Sequence, residues 1–308
     1  MMKTHYIRIN CLIIFFLFIS TAVAQQTLTD NDINFKRVSY NTSLIHSDSS
    51  QLMLNFTTSL GGDVQETSRM HFMAYGNIKK VGIGIGAKVN SRFKDIYKTT
   101  SAEILLSKNI KFKEKNDFNF GLNFGVLYNS ISDKYFNEYV ELEDVTISQQ
   151  ENKVRFIGGF GVSYIWNNSL EFGFSMPELV KSNNEFYPTF FGNVAYKQRF
   201  GEQKALYIEP TLLIYSTDLT GATIEGALKA GYHEYVWAKI GGRNTKTMLF
   251  GLGGGYNFIN VGYVMNMNFG DYSNIQQMQH NINLSLNFLQ VSNKKKTEKE
   301  KEIVIEEN

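Results

Sequence analysis

From Gln51 to Phe288 the chain alternates apolar with small or polar residues at a period of two. Leu52, Leu54, Phe56, Thr58 and Leu60 interleave with Met53, Asn55, Thr57 and Ser59. Phe118, Phe120, Leu122, Phe124, Val126 and Tyr128 interleave with Asn119, Gly121, Asn123, Gly125 and Asn129. Side chains of a strand point alternately to opposite faces, so each stretch has one oily face and one polar or empty face. The pattern returns at Phe160/Val162/Tyr164/Trp166, Leu170/Phe172/Phe174/Met176, Leu206/Ile208/Leu212/Ile214, Met248/Phe250/Leu252/Tyr256/Phe258 and Ile282/Leu284/Leu286/Phe288. It predicts about 14 strands, starting near residues 51, 68, 81, 99, 116, 153, 169, 189, 205, 222, 235, 247, 259 and 280.

A soluble sandwich also alternates, but its outer face meets bulk water and carries many Lys, Glu and Thr. Here the second face is rich in Gly, Asn and Ser, while the apolar face carries aromatics near both strand ends. Aromatic girdles around a polar lumen are the pattern of a membrane barrel. Closure of the sheet is also what pairs every backbone group in lipid without a helix. Link lengths point the same way. With both termini in the periplasm, odd-numbered links face outward and are expected to be long. The fifth (Ser130 to Asn152), third (Ser91 to Tyr97), seventh (Pro177 to Pro188) and thirteenth (Phe269 to Gln279) read as long. Asn77 to Lys80, Asn167 to Ser169, His233-Glu234 and Asn257-Phe258 read as tight even-numbered turns; the eleventh link, Asn244 to Lys246, is short against the trend. The expected fold is all-β, an antiparallel transmembrane outer-membrane β-barrel of about 14 strands over residues 51–288.

The ends of the chain place it in the cell. Lys3 and Arg8 precede the apolar run Cys11 to Ile19, and Ala22-Val23-Ala24 supplies small residues for cleavage, so residues 1–24 read as a signal peptide. That run is too short for the roughly 20 residues of a membrane helix. Cleavage takes two of the 31 basic residues, none of the 29 acidic ones and the single cysteine. The mature chain is then formally neutral, and nucleic acid is not an expected partner. Its 24 Phe, 17 Tyr and 25 Gly against only 3 Pro fit an all-β wall. Residues 25–50 are polar and read as a periplasmic arm or partial plug, and residues 289–308 as a charged flexible tail. The expected location is the outer membrane, in contact with its lipid.

No catalytic constellation emerges. His46, His71, His233 and His280 are scattered without metal-ligand spacing, and no G-x-S-x-G elbow occurs. Gly82, Gly84 and Ala87 fit G-x-G-x-x-A, but alternation continues through Lys88, Val89 and Asn90, so no helix follows to receive a pyrophosphate. These glycines mark an inward face instead. The expectation is a non-enzyme with no metal and no cofactor. By register Arg69, His71, Lys88, Glu103, Glu209, Glu225, Lys229, Lys239 and Arg243 face the lumen, since a charge on the lipid face costs about 2–4 kcal/mol at the midplane. They are either an ion-pair ladder that fills the barrel or the lining of a polar solute path, and the first is favoured.

Three stretches carry a resemblance. "GFGVSYIWNNSLEFGFSMPELVKSNN" (Gly159 to Asn184) sets a glycine-aromatic strand, a tight turn and a second strand entering S-x-P-x-L. "LKAGYHEYVWAKIGGRNTKTMLFGLGGGYNFINVGYVMN" (Leu228 to Asn266) runs through Trp, a Gly-Arg strand end, a glycine strand and a "GY" strand. Asn41-Thr42-Ser43-Leu44-Ile45 keeps the asparagine of an Asn-Pro-Ala-x-x-Gly box, and His280-Asn281 stands where a His-Glu pair opens the last strand. In this order the chain resembles the PorP/SprF outer-membrane proteins of the type IX secretion and gliding-motility system. The resemblance implies a non-enzymatic barrel that assists export or surface anchoring of a secreted adhesin, or works with other type IX components. Long outer loops are the natural partner surface, with Tyr135, Phe136, Tyr139, Phe186 and Tyr187 as candidate anchors. The alternative function is an outer-membrane transporter or channel for small or hydrophobic solutes.

Overall fold

The structure is a computed structural model that describes residues 37–45, 50–60, 68–78, 81–94, 97–112, 115–131, 153–181, 189–201, 204–216, 222–233, 235–269 and 278–288. The strands are β1 (Gln51–Leu60), β2 (Ser68–Ile78), β3 (Ile83–Lys94), β4 (Tyr97–Phe112), β5 (Asn116–Ile131), β6 (Lys153–Trp166), β7 (Leu170–Lys181) and β8 (Phe190–Tyr196). They continue as β9 (Gln198–Phe200), β10 (Leu206–Ser216), β11 (Thr223–Tyr232), β12 (Val236–Arg243), β13 (Thr247–Tyr256), β14 (Ile259–Asn268) and β15 (Met278–Asn287). Every pairing is antiparallel. β1 pairs with both β2 and β15, and β10 with both β8 and β11, so the sheet closes on itself. β8 and β9 follow one another along the same edge of β10, opposite Thr211–Ser216 and Leu206–Ile208, with a break at Lys197. Together they fill one place in a 14-strand wall. Apart from β9, which alternation does not predict, the strands begin within two residues of the predicted starts.

Burial is inverted relative to a water-soluble domain. Leu54, Phe56, Phe72, Phe120, Leu122, Phe124, Ile240 and Leu252 are exposed, while Asn55, Asn119, Asn123, Asn281, Asn283, Ser163 and Ser285 are buried. An apolar outer face over a polar interior is what lipid requires. In β13 this gives the strict burial alternation of Thr247 to Gly251.

Tight turns gather at one end. The turns at Val81-Gly82, Asn167–Ser169, His233–Tyr235 and Asn257-Phe258 all lie there. Asn167 and Asn168 (φ 52° and 54°), His233 (53°) and Asn257 (56°) take the left-handed backbone that such hairpins need. Asn244–Lys246 is a tight turn at the opposite end. The third link departs from expectation. Ser91 to Lys94 do not leave the wall but prolong β3, pairing as far as Lys94 with Tyr97 and leaving only residues 95 and 96 between the strands. Cross-strand contacts carry the hairpin that far, with Ser91 Oγ 3.4 Å from Thr100 Oγ1 and the Lys98 ammonium 5.1 Å from the Phe93 ring centroid.

Residues 37–45 lie inside the ring. Arg37–Ser39 and Thr42–Leu44 are single 3-10 turns, with Asn41 as cap of the second. Val38, Leu44 and Ile45 pack with Met53, Met73 and Leu105 from the inner faces of β1, β2 and β4, beside Tyr75. Tyr40 reaches a second apolar cluster, Phe191, Leu213 and Tyr215, on β8 and β10.

Candidate functional site

The lumen around residues 37–45 is the place where this chain concentrates unusual chemistry. The inward faces of the wall leave gaps there by lacking side chains. A Cβ at Gly84 would strike Ser107 Oγ and Ile45 Cγ2, one at Gly121 would strike the backbone of Thr42 and Ser43, and one at Gly161 the Asn41 amide. Gly84, Gly121 and Gly161 thus leave the space through which the internal segment passes.

Asn41 is 2% exposed and sits at the centre of this contact. Its Nδ2 donates to the carbonyls of Val162 (3.2 Å) and Phe174 (3.4 Å) on β6 and β7. Its Oδ1 accepts from Ser43 N–H (3.1 Å) and from the Ser43 hydroxyl (2.7 Å). On one side of it, Ser107 Oγ of β4 donates to the Ile45 carbonyl at 3.1 Å. On the other, Arg37 clamps two strands at once: Nε and Nη2 donate to the two Glu171 oxygens (2.9 and 3.4 Å), and Nη1 to Glu209 (3.1 Å). Burial works against the Arg37 charge, but the two carboxylates outweigh it and raise its pKa above the ordinary value.

The nine charged positions predicted to face inward separate into three groups and one outlier. Lys88 and Glu103, opposite one another on β3 and β4, pair at 2.9 Å. Asn123 Nδ2 donates to the second Glu103 oxygen and to the Pro177 carbonyl, both at 2.8 Å, and Lys88 also donates to the Ser39 carbonyl at 3.3 Å. His71 joins this group, with Nε2 3.3 Å from Ser39 Oγ and Nδ1 against Asn90 Oδ1. Glu225 and Arg243 pair at 2.6 Å on β11 and β12, with side chains 1% and 3% exposed. Glu209, Lys229 and Lys239 stand opposite one another across β10, β11 and β12. Arg69 is half-buried on β2, opposite Arg92 of β3.

Several participants escaped the sequence reading. Glu171 follows the outward-facing Leu170, so its inward register was legible in the alternation. Arg37 lies in a stretch with no period at all, and nothing local marks it. Tyr207, Trp237, Lys197 and Arg199 also converge on the lumen near the tight-turn end, and β9 is too short to show a period. The candidate loop anchors Tyr135, Phe136, Tyr139, Phe186 and Tyr187 lie outside the described residues, as do residues 1–36.

A barrel wall with a polar lumen and a chain segment inside it is compatible with several membrane functions, and kinship narrows them. The family model described as "Type IX secretion system membrane protein PorP/SprF" matches residues 23–286. The chain belongs to the PorP/SprF family. Its family and its fold are of a non-enzymatic, membrane-protein kind, with the wall of an outer-membrane barrel. No curated protein matches this PorP/SprF chain. Among solved structures it is similar to the TodX deltaS2S3 mutant monoaromatic hydrocarbon channel, at 9% identity over 87% of this chain and 95% of that one, TM-score 0.49. It is also similar to the Acinetobacter baumannii outer membrane protein Omp33, at 6% identity over 78% and 99%, TM-score 0.48. A third likeness is to the KdgM porin, at 12% identity over 77% and 98%, TM-score 0.38. In this PorP/SprF protein Asn41, on which the N-terminal part of the resemblance rests, anchors the internal segment to the wall.

Proposed function

We propose that this PorP/SprF protein is a plugged outer-membrane barrel that assists export or surface anchoring of a secreted adhesin, and that it does not serve as an open solute path. The observation that carries this reading is the occupation of the lumen by Arg37 to Ile45, tied by side chains to β3, β4, β6, β7 and β10. A filled interior leaves the loops and the two mouths as the working surfaces. The partner surface is assigned to the links between β5 and β6 and between β7 and β8, with Tyr135, Phe136, Tyr139, Phe186 and Tyr187 as its aromatic anchors. Residues 1–24 direct export and are removed, residues 25–36 lead into the plug, the tight-turn end faces the periplasm, and residues 289–308 form a charged tail there.

Deletion of the gene followed by surface proteomics tests the reading. Loss of one large secreted protein from the surface, with small-solute uptake unchanged, is the expected result. Reduced uptake of a small or hydrophobic solute with an intact surface proteome would replace it by the transporter reading. Mass spectrometry of the protein from purified outer membrane should place its first residue at Gln25.

A further inference from the structure

Gly173 of β7 faces the lumen, and a Cβ there would strike Asn193 Oδ1. Gly192 of β8 faces the other way, and the structure gives no such reason for its missing side chain. Beyond its chain neighbours, the nearest atom to a Cβ at Gly192 would be the Ile214 carbonyl oxygen, at 3.8 Å. Its cross-strand neighbours on the outer face are Phe174 of β7 and Ile214 of β10, so the wall carries a notch between two large side chains. The notch opens into a recess of about 370 Å³ that continues past Phe172, Leu212 and Tyr164. That volume falls within the range of roughly 300–1,000 Å³ in which small-molecule sites are found. The floor includes the backbone of Gly173, Gly192 and Asn193, already paired in the sheet, so the lining is apolar.

The recess opens toward lipid. Tyr164, Phe172, Phe174 and Leu212 are exposed members of the apolar outer face. One row nearer the tight turns, Trp166 and Tyr196 flank Leu170 and are exposed as well, and such aromatics mark a membrane interface. Tyr164 and Phe172 lie two residues further along their strands, so the recess begins about 7 Å inside that boundary, at the depth of acyl methylenes. Its width excludes larger occupants. Phe174 and Ile214 stand two strands apart, about 9.6 Å between backbones, and their own side chains take part of that distance. A helix, about 10–12 Å across, does not enter, and a strand of a second barrel lies flat across the rim. One unbranched hydrocarbon chain fits.

We propose that this recess binds one acyl chain of a phospholipid from the leaflet at the tight-turn end and holds that lipid against the wall. Lipid and recess are equally apolar, so the selection rests on packing and not on transfer from water. A chain lying on an even wall is touched from one side, whereas a chain in the notch meets Phe174, Ile214 and the Gly192 backbone at once. Left unfilled, those atoms have no partners on that side and forfeit their dispersion contacts. The rings of Phe172 and Phe174 supply one long flank, and Leu212 and Ile214 the other. The site stands apart from the adhesin-docking role and from its outer loops, and it does not depend on whether the lumen is closed.

Gly192→Leu fills the notch from the wall itself, and its Cβ meets only an ordinary contact, so the barrel is expected to accept it. Gly226→Leu is the control. It adds the same bulk at another outward glycine, opposite Leu212 on β11, where a Cβ meets nothing within 4 Å and which does not line the recess. The full-length proteins in detergent micelles are supplied with palmitoyl-oleoyl phosphatidylethanolamine and weighed by native mass spectrometry as the detergent is stripped. The unaltered protein and Gly226→Leu are expected to retain a single lipid, and Gly192→Leu to lower its occupancy at least about tenfold. Heat-dependent gel mobility verifies that each barrel is closed. Val194→Phe, which crowds the same recess from the next row, serves if Gly192→Leu does not fold. Retention that Gly192→Leu leaves unchanged, equal loss in Gly226→Leu, or no retained lipid on the unaltered protein overturns the proposal. A two-chain mass that Gly192→Leu abolishes also overturns it, and would assign the recess to a second copy of this chain.

Discussion

Asn41 shows how much of the lumen depends on single polar side chains. Its amide satisfies two wall carbonyls and two Ser43 donors from a 2% exposed position. Asn41→Leu is expected to cost about 1–3 kcal/mol, because Ser43 then keeps buried donors with no acceptor in reach. A lowered denaturant midpoint in micelles checks this. The Glu225–Arg243 pair makes a sharper case, being almost fully buried at 2.6 Å. Glu225→Gln strands a buried guanidinium and should destabilise by about 3–5 kcal/mol, whereas Glu225→Met with Arg243→Met should recover most of that loss. A double-mutant cycle on the same midpoints separates the two outcomes. This pairing was latent in the sequence. The His233 turn places Glu225 and Arg243 at equal distances along the two arms of one hairpin, so they must stand opposite each other. Lys88 and Glu103 are related in the same manner, but the β3–β4 pairing that relates them runs to Lys94 and Tyr97, inside a stretch that reads as a long loop. The inward faces were legible residue by residue, and the contacts needed the turn positions.

At the scale of the strand, alternation alone carries the wall. The two faces live in different solvents, and a one-residue slip would turn every side chain to the wrong one. That is why strand starts could be read to within two residues, while ends at the loop side could not. Beyond the bilayer neither face is selected by lipid, and the β3–β4 hairpin continues on cross-strand pairs that have no apolar period. The β8–β9 interruption was equally silent, since both pieces pair with β10 and preserve its register. Phe124 tests the assignment of faces, being 39% exposed near the middle of the 16-residue β5, beside the buried Asn123. Phe124→Arg should cost about 2–4 kcal/mol in lipid vesicles, as for a basic residue at the midplane. Substitution by Leu should change little. Folding titrations in vesicles read both, and equal effects of the two would place Phe124 away from lipid.

Over the whole molecule the wall and residues 37–45 are complementary parts. Gly84, Gly121 and Gly161 lie on three different strands, yet each leaves out a side chain where the internal segment passes. Arg37 ties one end of that segment to β7 and β10, while Ile45 ties the other to β4. An unused cavity would not need such matched omissions, and a freely mobile arm would not need a clamp on two strands. The alternating pattern could not reveal this, because a segment without period announces neither its path nor its neighbours. If the segment closes the barrel, the purified protein should give no large steady single-channel currents in a planar bilayer. A variant lacking residues 37–45 should give them, since the inward glycines would then border open space. Gly121→Val offers the same test in a complete chain, because its side chain would collide with the Thr42–Ser43 backbone and push the segment out. Large currents from the unaltered protein, no smaller than those from the two variants, would show that the interior conducts with the segment in place, and the barrel would then have to be understood as a channel.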